Sequence, residues 1–101
     1  MAEKFRLTPR AKEDLRRIWL YTRDAWSEDQ ADHYVTAIYQ RFEWLAARPK
    51  TGKHRPDIEN GYYCFPQGRH LVFYLIRDEH IDIIGVPHKE MDILNYFDDD
   101  E

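Results

Sequence analysis

The sequence predicts an α+β domain: a short N-terminal strand, an antiparallel two-helix hairpin packed on an antiparallel β-sheet with a C-terminal three-strand meander, and a short C-terminal arm. Three observations predict it. Apolar residues between positions 9 and 47 recur at helical spacing, whereas those between 62 and 86 run at strand spacing. The two helical stretches are separated by only a residue or two, which forces them antiparallel. The strand-like stretches are joined by short turns, which makes neighbours in sequence neighbours in the sheet.

Taken in order, Phe5, Arg6, Leu7 and Thr8 alternate apolar and polar, the mark of a short strand. Thr8 and Pro9 then open a helix, Thr8 as N-cap and Pro9 with its φ already set and no N–H to satisfy. Ala11, Leu15, Ile18, Thr22 and Ala25 share one face of that helix, bordered by Trp19 and Trp26. Ser27 and Gln30 match a capping box. The second helix carries Ala31, Tyr34, Val35, Ile38, Phe42 and Leu45 on its apolar stripe, and Arg48-Pro49 ends it near Ala47. Residues 51–56 hold two basic residues, Lys53 and Arg55, and His54 in a polar loop. This loop reads as an exposed connector or as an anion or partner contact at the sheet edge.

Three strands are expected next, over residues 62–65, 69–76 and 81–86. Gln67-Gly68 and residues 77–80 make the turns, and Pro87 ends the pairing. On the central strand Leu71, Phe73 and Leu75 face one way, while Val72, Tyr74 and Ile76 face the other. Both sets are apolar, yet one helical hairpin covers one face of a sheet. The second face must meet the chain's own C-terminal segment, another subunit or a partner. Residues 91–97 read as a short helix or an extended arm.

At 101 residues the chain has room for one core, assigned to residues 1–97. The net charge of −4 belongs to the tail Asp98, Asp99, Asp100 and Glu101, expected to be disordered; without it, 15 basic residues face 15 acidic ones. A neutral body lacks the basic stripe of a direct nucleic-acid binder, so no sequence-specific nucleic-acid binding is expected. No apolar run is long enough to span a membrane and no signal-peptide core precedes Phe5, which together with the single Cys64 gives an expectation of a cytoplasmic protein. Cys64 reads as a small core residue, as do Phe65, Leu71 and Phe73.

No metal motif emerges, since His33, His54, His70, His80, His88 and Cys64 have no paired ligand spacing. No cofactor fingerprint is present either. His80 is expected in a solvated turn and His33 on the outer side of its helix. A metal-free nuclease would need an acid, a base and phosphate-binding cations together. Its parts here would be Arg69, His70, Tyr74, His88 and Lys89, with catalytic candidates Arg69, His70 and His88. His88 should lie opposite Arg69 or His70, depending on register. Glu90 and Asp92 beside this corner dilute its positive charge.

Four stretches, in order and spanning nearly the whole chain, carry a resemblance. They are residues 5–15 (FRLTPRAKEDL), residues 45–52 (LAARPKTG), the pattern Gly61-x-x-x-Phe65-Pro66-x-Gly68-x-His70-x-x-Phe73-Tyr74, and His88-x-x-Met91-Asp92. Together they resemble the RelE/ParE toxin superfamily of type II toxin–antitoxin systems, closest to its ParE branch. The resemblance implies a toxin that is not an enzyme and that inhibits DNA gyrase by stabilising its cleaved-DNA complex. It also implies a cognate ParD-like antitoxin, with a DNA-binding N-terminus and a C-terminal segment that wraps the toxin. The alternatives are a RelE-like ribosome-dependent mRNA endoribonuclease and a non-toxic antitoxin-bound relative. Target contacts are expected at His70, His88, Lys89, Met91 and Asp92; antitoxin contacts at Val72, Tyr74, Ile76, Trp19 and Trp26. The chain departs from the branch at Tyr63 and Glu90, where relatives often carry arginine, and at Pro87, where an aliphatic residue is usual. Two cations are thereby lost near the working edge, which disfavours RNase chemistry.

Overall fold

The computed structural model describes residues 4–98. Strand β1 (Phe5–Leu7) leads into helices α1 (Pro9–Ala25) and α2 (Glu28–Ala47) and a 3₁₀ turn (Pro49–Thr51). Strands β2 (Lys53–His54), β3 (Tyr62–Gln67), β4 (His70–Ile76) and β5 (Ile81–Gly85) follow, then helix α3 (Ile93–Asp98). The predicted caps form: Thr8 accepts from the Ala11 N–H and Ser27 from the Gln30 N–H. The arm takes the helical alternative. Asp98 belongs to α3 rather than to the tail, and the rest of the tail lies outside the described residues.

The five strands form one sheet in the order β1-β5-β4-β3-β2. The meander β3-β4-β5 is antiparallel as expected. The sheet as a whole is mixed, not antiparallel, because β1 pairs in parallel with β5, Phe5 opposite Ile81 and Leu7 opposite Ile83. This pairing joins the two ends of the chain, so no turn signal could announce its direction. A second correction concerns residues 51–56. Lys53 and His54 leave the loop and pair with Cys64 and Tyr63 as an edge strand.

The helical hairpin covers the Val72 and Tyr74 face of β4. Both residues are wholly buried with Leu15, Ile18, Ile38, Phe42 and Leu45, and Ile76 packs against the same core. Tyr74 stays satisfied there: its hydroxyl donates to the Pro49 carbonyl (2.7 Å) and accepts from the Gly52 N–H (3.0 Å). The opposite face is closed by the chain's own arm. Phe73 is fully buried, with Phe97 of α3 at 5.1 Å between ring centroids and Tyr62 at 6.4 Å. The expectation that Val72 and Tyr74 offer a surface to a partner is therefore corrected. The face that looked open is the one under the helices.

The register of β4 on β5 shifts by one residue. Tyr74 faces Ile83 but Phe73 faces Gly85, leaving Ile84 bulged. Thr8 supports the bulge: its hydroxyl reaches the carbonyls of both Ile83 and Ile84 (2.9 and 3.0 Å). This one residue decides what meets beyond the strand. Without the shift His88 would face Arg69; with it, His70 pairs with His88.

Candidate functional site: a groove beside α1

At the end of β4 and β5 two adjoining hollows, of about 440 and about 370 Å³, run along α1. They share Arg17, Ile18, His70, His88 and Met91. Tyr21, Trp26 and Tyr34 wall the first, while Asp14, Asp92 and Tyr96 wall the second. Tyr21 and Trp26 are more than two-thirds exposed and Met91 is half-exposed, so the groove opens as an apolar surface with edges of mixed charge, Arg17 and Arg69 against Asp14 and Asp92.

His70 is its most constrained member. The Tyr34 hydroxyl accepts from the Arg69 backbone N–H (2.9 Å), which leaves its own proton for His70 Nδ1 (2.7 Å). Burial, and secondarily the His88 ring, push the pKa of His70 down to about 4, so the ring is neutral near pH 7. Burial also pushes the Tyr34 phenol up. The two imidazoles meet edge to face at 5.2 Å, and His88 Nδ1 accepts from the Glu90 N–H (3.1 Å). Gly68, in the left-handed region (φ 59°), makes the turn that brings His70 there; a Cβ on it would press to 2.7 Å from the Tyr34 hydroxyl.

The arm is fixed to this groove by Asp14. Its Oδ2 accepts from the Val86 N–H (2.9 Å) and from the Tyr96 hydroxyl. Burial and the Asp14 carboxylate hold the Tyr96 phenol well above its ordinary pKa. Arg10 completes the clamp, donating to the Tyr96 carbonyl (2.9 Å) and lying over the Tyr96 ring (4.7 Å).

Of the expected target contacts, His70, His88, Met91 and Asp92 line the groove. Lys89 is exposed beside it, its N–H bonded to the Arg69 carbonyl. Asp92 also caps α3, accepting from the Asn95 N–H (3.4 Å). Arg69 joins the first hollow, and so does Trp26. Trp19 does not: its indole N–H bonds Asp32 across the hairpin (2.8 Å), with Arg23 over its ring. His80, expected to be solvated, instead bonds Asp82 (2.9 Å) and is largely covered. His33 lies outside, bonded to the Asp29 carbonyl. Sequence reasoning missed Arg17, Asp14, Tyr21 and the hydroxyl role of Tyr34. The one available signal was Tyr34, a tyrosine on an apolar stripe whose hydroxyl must find a partner.

As chemistry, the arrangement binds better than it transfers protons. His70 is neutral with Nδ1 occupied, and Arg17 is engaged by Glu13 (3.0 Å), whose carboxyl Arg16 and Arg17 hold near 2. Among the described residues no group of three or more His, Cys, Asp or Glu is arranged to hold a metal, and no helix is long and apolar enough to cross a membrane.

Hairpin, sheet and arm define a small α+β protein with an apolar groove edged by charges of both signs. A solved structure described as the chromosomal ParDE TA system from P. aeruginosa shares the fold. It matches with a TM-score of 0.74 at 18% identity, over 86% of this chain and 96% of that one. The family model for the ParE toxin of the type II toxin–antitoxin system parDE matches residues 5–93. Toxin ParE1 of Mycobacterium tuberculosis is 34% identical over 94 residues, 92% of this chain and 96% of that protein. Toxin ParE1 of Caulobacter vibrioides is 34% identical over 87 residues, 86% of this chain and 90% of that protein. The chain belongs to the ParE toxin family of type II toxin–antitoxin systems.

Proposed function

We propose that this ParE toxin works in the cytoplasm by binding rather than catalysis, inhibiting DNA gyrase by stabilising its cleaved-DNA complex. The observation that carries the binding reading is the state of His70. Burial against the His88 ring keeps it neutral near pH 7, with Nδ1 held by Tyr34. An acid–base RNase would need a proton donor or acceptor free near pH 7. Membership of the ParE family supports gyrase as the target that the resemblance implies.

The groove also suggests how the toxin is restrained. Trp26, a candidate antitoxin contact, lines the same hollow as His70, His88 and Met91. A ParD-like antitoxin laying an apolar segment over Tyr21, Trp26 and Met91 would cover the target-binding residues at the same time. Antitoxin and gyrase then compete for one surface, and neutralisation is steric.

The purified protein, mixed with gyrase and supercoiled DNA, is expected to accumulate cleaved DNA, and to leave mRNA intact in a translation extract. Codon-dependent mRNA cuts with no effect on gyrase would overturn the proposal in favour of the endoribonuclease.

A further inference from the structure

His70 spends one ring nitrogen inside the fold and leaves the other to the groove. Nδ1 meets the Tyr34 hydroxyl at 2.7 Å. Nε2 has no hydrogen-bond or ion-pair partner among the described residues. It is not sealed in either, since none of their side-chain nitrogens or oxygens is both buried and unpaired. His70 lines both hollows, so Nε2 opens onto the groove where they join.

What Nε2 offers there depends on which nitrogen holds the ring proton, and Tyr34 bears on that. A phenol has one proton to give and two lone pairs. The Arg69 N–H takes one lone pair (2.9 Å). Donation to Nδ1 then uses the proton too. Were Nδ1 the donor, the phenol would accept twice and its own proton would be left over at a half-buried position. Burial raises the Tyr34 pKa, so that proton stays on the oxygen. The His88 ring, edge to face at 5.2 Å, packs the imidazole in place.

A fixed N–H among apolar walls such as Ile18 and Met91 discriminates between partners, because a bound segment that offers it no acceptor strands it without water. A carboxylate is a poor acceptor here, as Asp14 and Asp92 already line the same hollow. A backbone carbonyl carries no charge, and any chain crossing the groove has one to give.

We propose that Tyr34 holds His70 in the tautomer protonated on Nε2, and that this N–H is the groove's donor to a backbone carbonyl of the bound target. Tyr34 is then a positioning residue, acting through His70. The donor role rests on gyrase meeting this groove, as proposed above; the tautomer does not.

Imidazole nitrogen-15 NMR of the full chain near pH 7 reads the tautomer, and gyrase with supercoiled DNA reads the contact. Wild-type protein should show His70 protonated on Nε2, and Tyr34→Phe, which keeps the ring, a mixture of tautomers. Two substitutions separate the nitrogens, because Asn carries its amide at the distance of Nδ1 and Gln at that of Nε2. His70→Asn should keep the unfolding midpoint near pH 7 yet need about tenfold more protein to accumulate cleaved DNA, the loss of one hydrogen bond at a desolvated contact. His70→Gln should lower the midpoint yet stay within about threefold of wild-type potency. A histidine that only holds the fold would give the reverse order, with potency following stability. His70 protonated on Nδ1 would overturn the proposal. With wild-type protein active on gyrase, equal potency of His70→Asn would overturn the donor role and leave the gyrase reading intact. Wild-type protein without effect on gyrase would overturn both of these and leave the tautomer standing.

Discussion

Replacing Asp14 by alanine is expected to cost the fold about 3 kcal/mol and to loosen the C-terminal arm. One carboxylate oxygen joins three elements: it sits on α1, accepts from the Val86 N–H just after β5, and accepts from the Tyr96 hydroxyl on α3. Val86 is 2% exposed, so its N–H would be left without water or partner. A stranded buried donor costs about 1–3 kcal/mol, and bonds to a charged acceptor are about twice as strong as neutral ones. Space around the phenol is equally constrained. A Cβ at Gly85 would collide with the Tyr96 hydroxyl and lie 3.2 Å from Arg10 Cδ. Asp14→Asn, which keeps an acceptor but loses the charge, should cost about half as much. Asp14→Ala combined with Tyr96→Phe should be less than additive, since both remove the same bond. Urea unfolding gives the energies, and hydrogen exchange over residues 93–98 reports the arm. A loss below about 0.5 kcal/mol with α3 protection unchanged would show that Arg10 and Phe97 hold the arm without Asp14.

The second large effect is a pH dependence centred on His70. Its pKa is pushed down to about 4 in the fold, against about 6.5 unfolded. The unfolded chain therefore binds a proton that the folded one refuses, and stability falls as pH drops from about 6.5 toward 4. Allowing for partial exposure, the loss should reach about 1–2 kcal/mol by about pH 5. Carboxylates held low by arginine or lysine neighbours, Glu13 and Asp57 among them, lose their contribution only further down, below their ordinary pKa of about 4. His70→Asn keeps an acceptor near the Nδ1 position for the Tyr34 hydroxyl but cannot titrate. It should flatten the unfolding midpoint between about pH 6.5 and 5. A slope identical in the variant would place the acid sensitivity elsewhere.

Local chemistry was legible in the sequence and non-local pairing was not. Thr8, Pro9, Ser27 and Gln30 announce their helix ends because a cap is read within four residues. The three-strand meander follows from its short turns. By contrast, the parallel pairing of Phe5 with Ile81 joins positions 76 apart, and the two-residue strand at Lys53 has no pattern to detect. The faces of β4 were separated correctly, but which one met the helices was not fixed, since both are apolar. That ambiguity put Val72 and Tyr74 among the partner contacts when they are core.

The site shows the same division. His70 and His88 were expected near one another, and the choice between Arg69 and His70 hung on a single bulged residue, Ile84. In the run from Ile81 to Val86 only Gly85, a lone glycine inside a strand, hints at the bulge, which Thr8, far off in sequence, stabilises. Arg17 and Tyr21 joined the groove only through the packing of α1 against the sheet. Lone positions on a helix's polar side give no warning of that.

The groove as working surface is tested most directly at Met91. It is half-exposed, lines both hollows, and its side chain supports no core packing. Wild-type protein should drive gyrase to accumulate cleaved supercoiled DNA, and Met91→Glu, with an unchanged unfolding midpoint, should need about tenfold more protein to do so, the cost of setting a charge in an apolar contact. Equal potency of Met91→Glu and wild type, or DNA cleavage without gyrase present, would contradict the account.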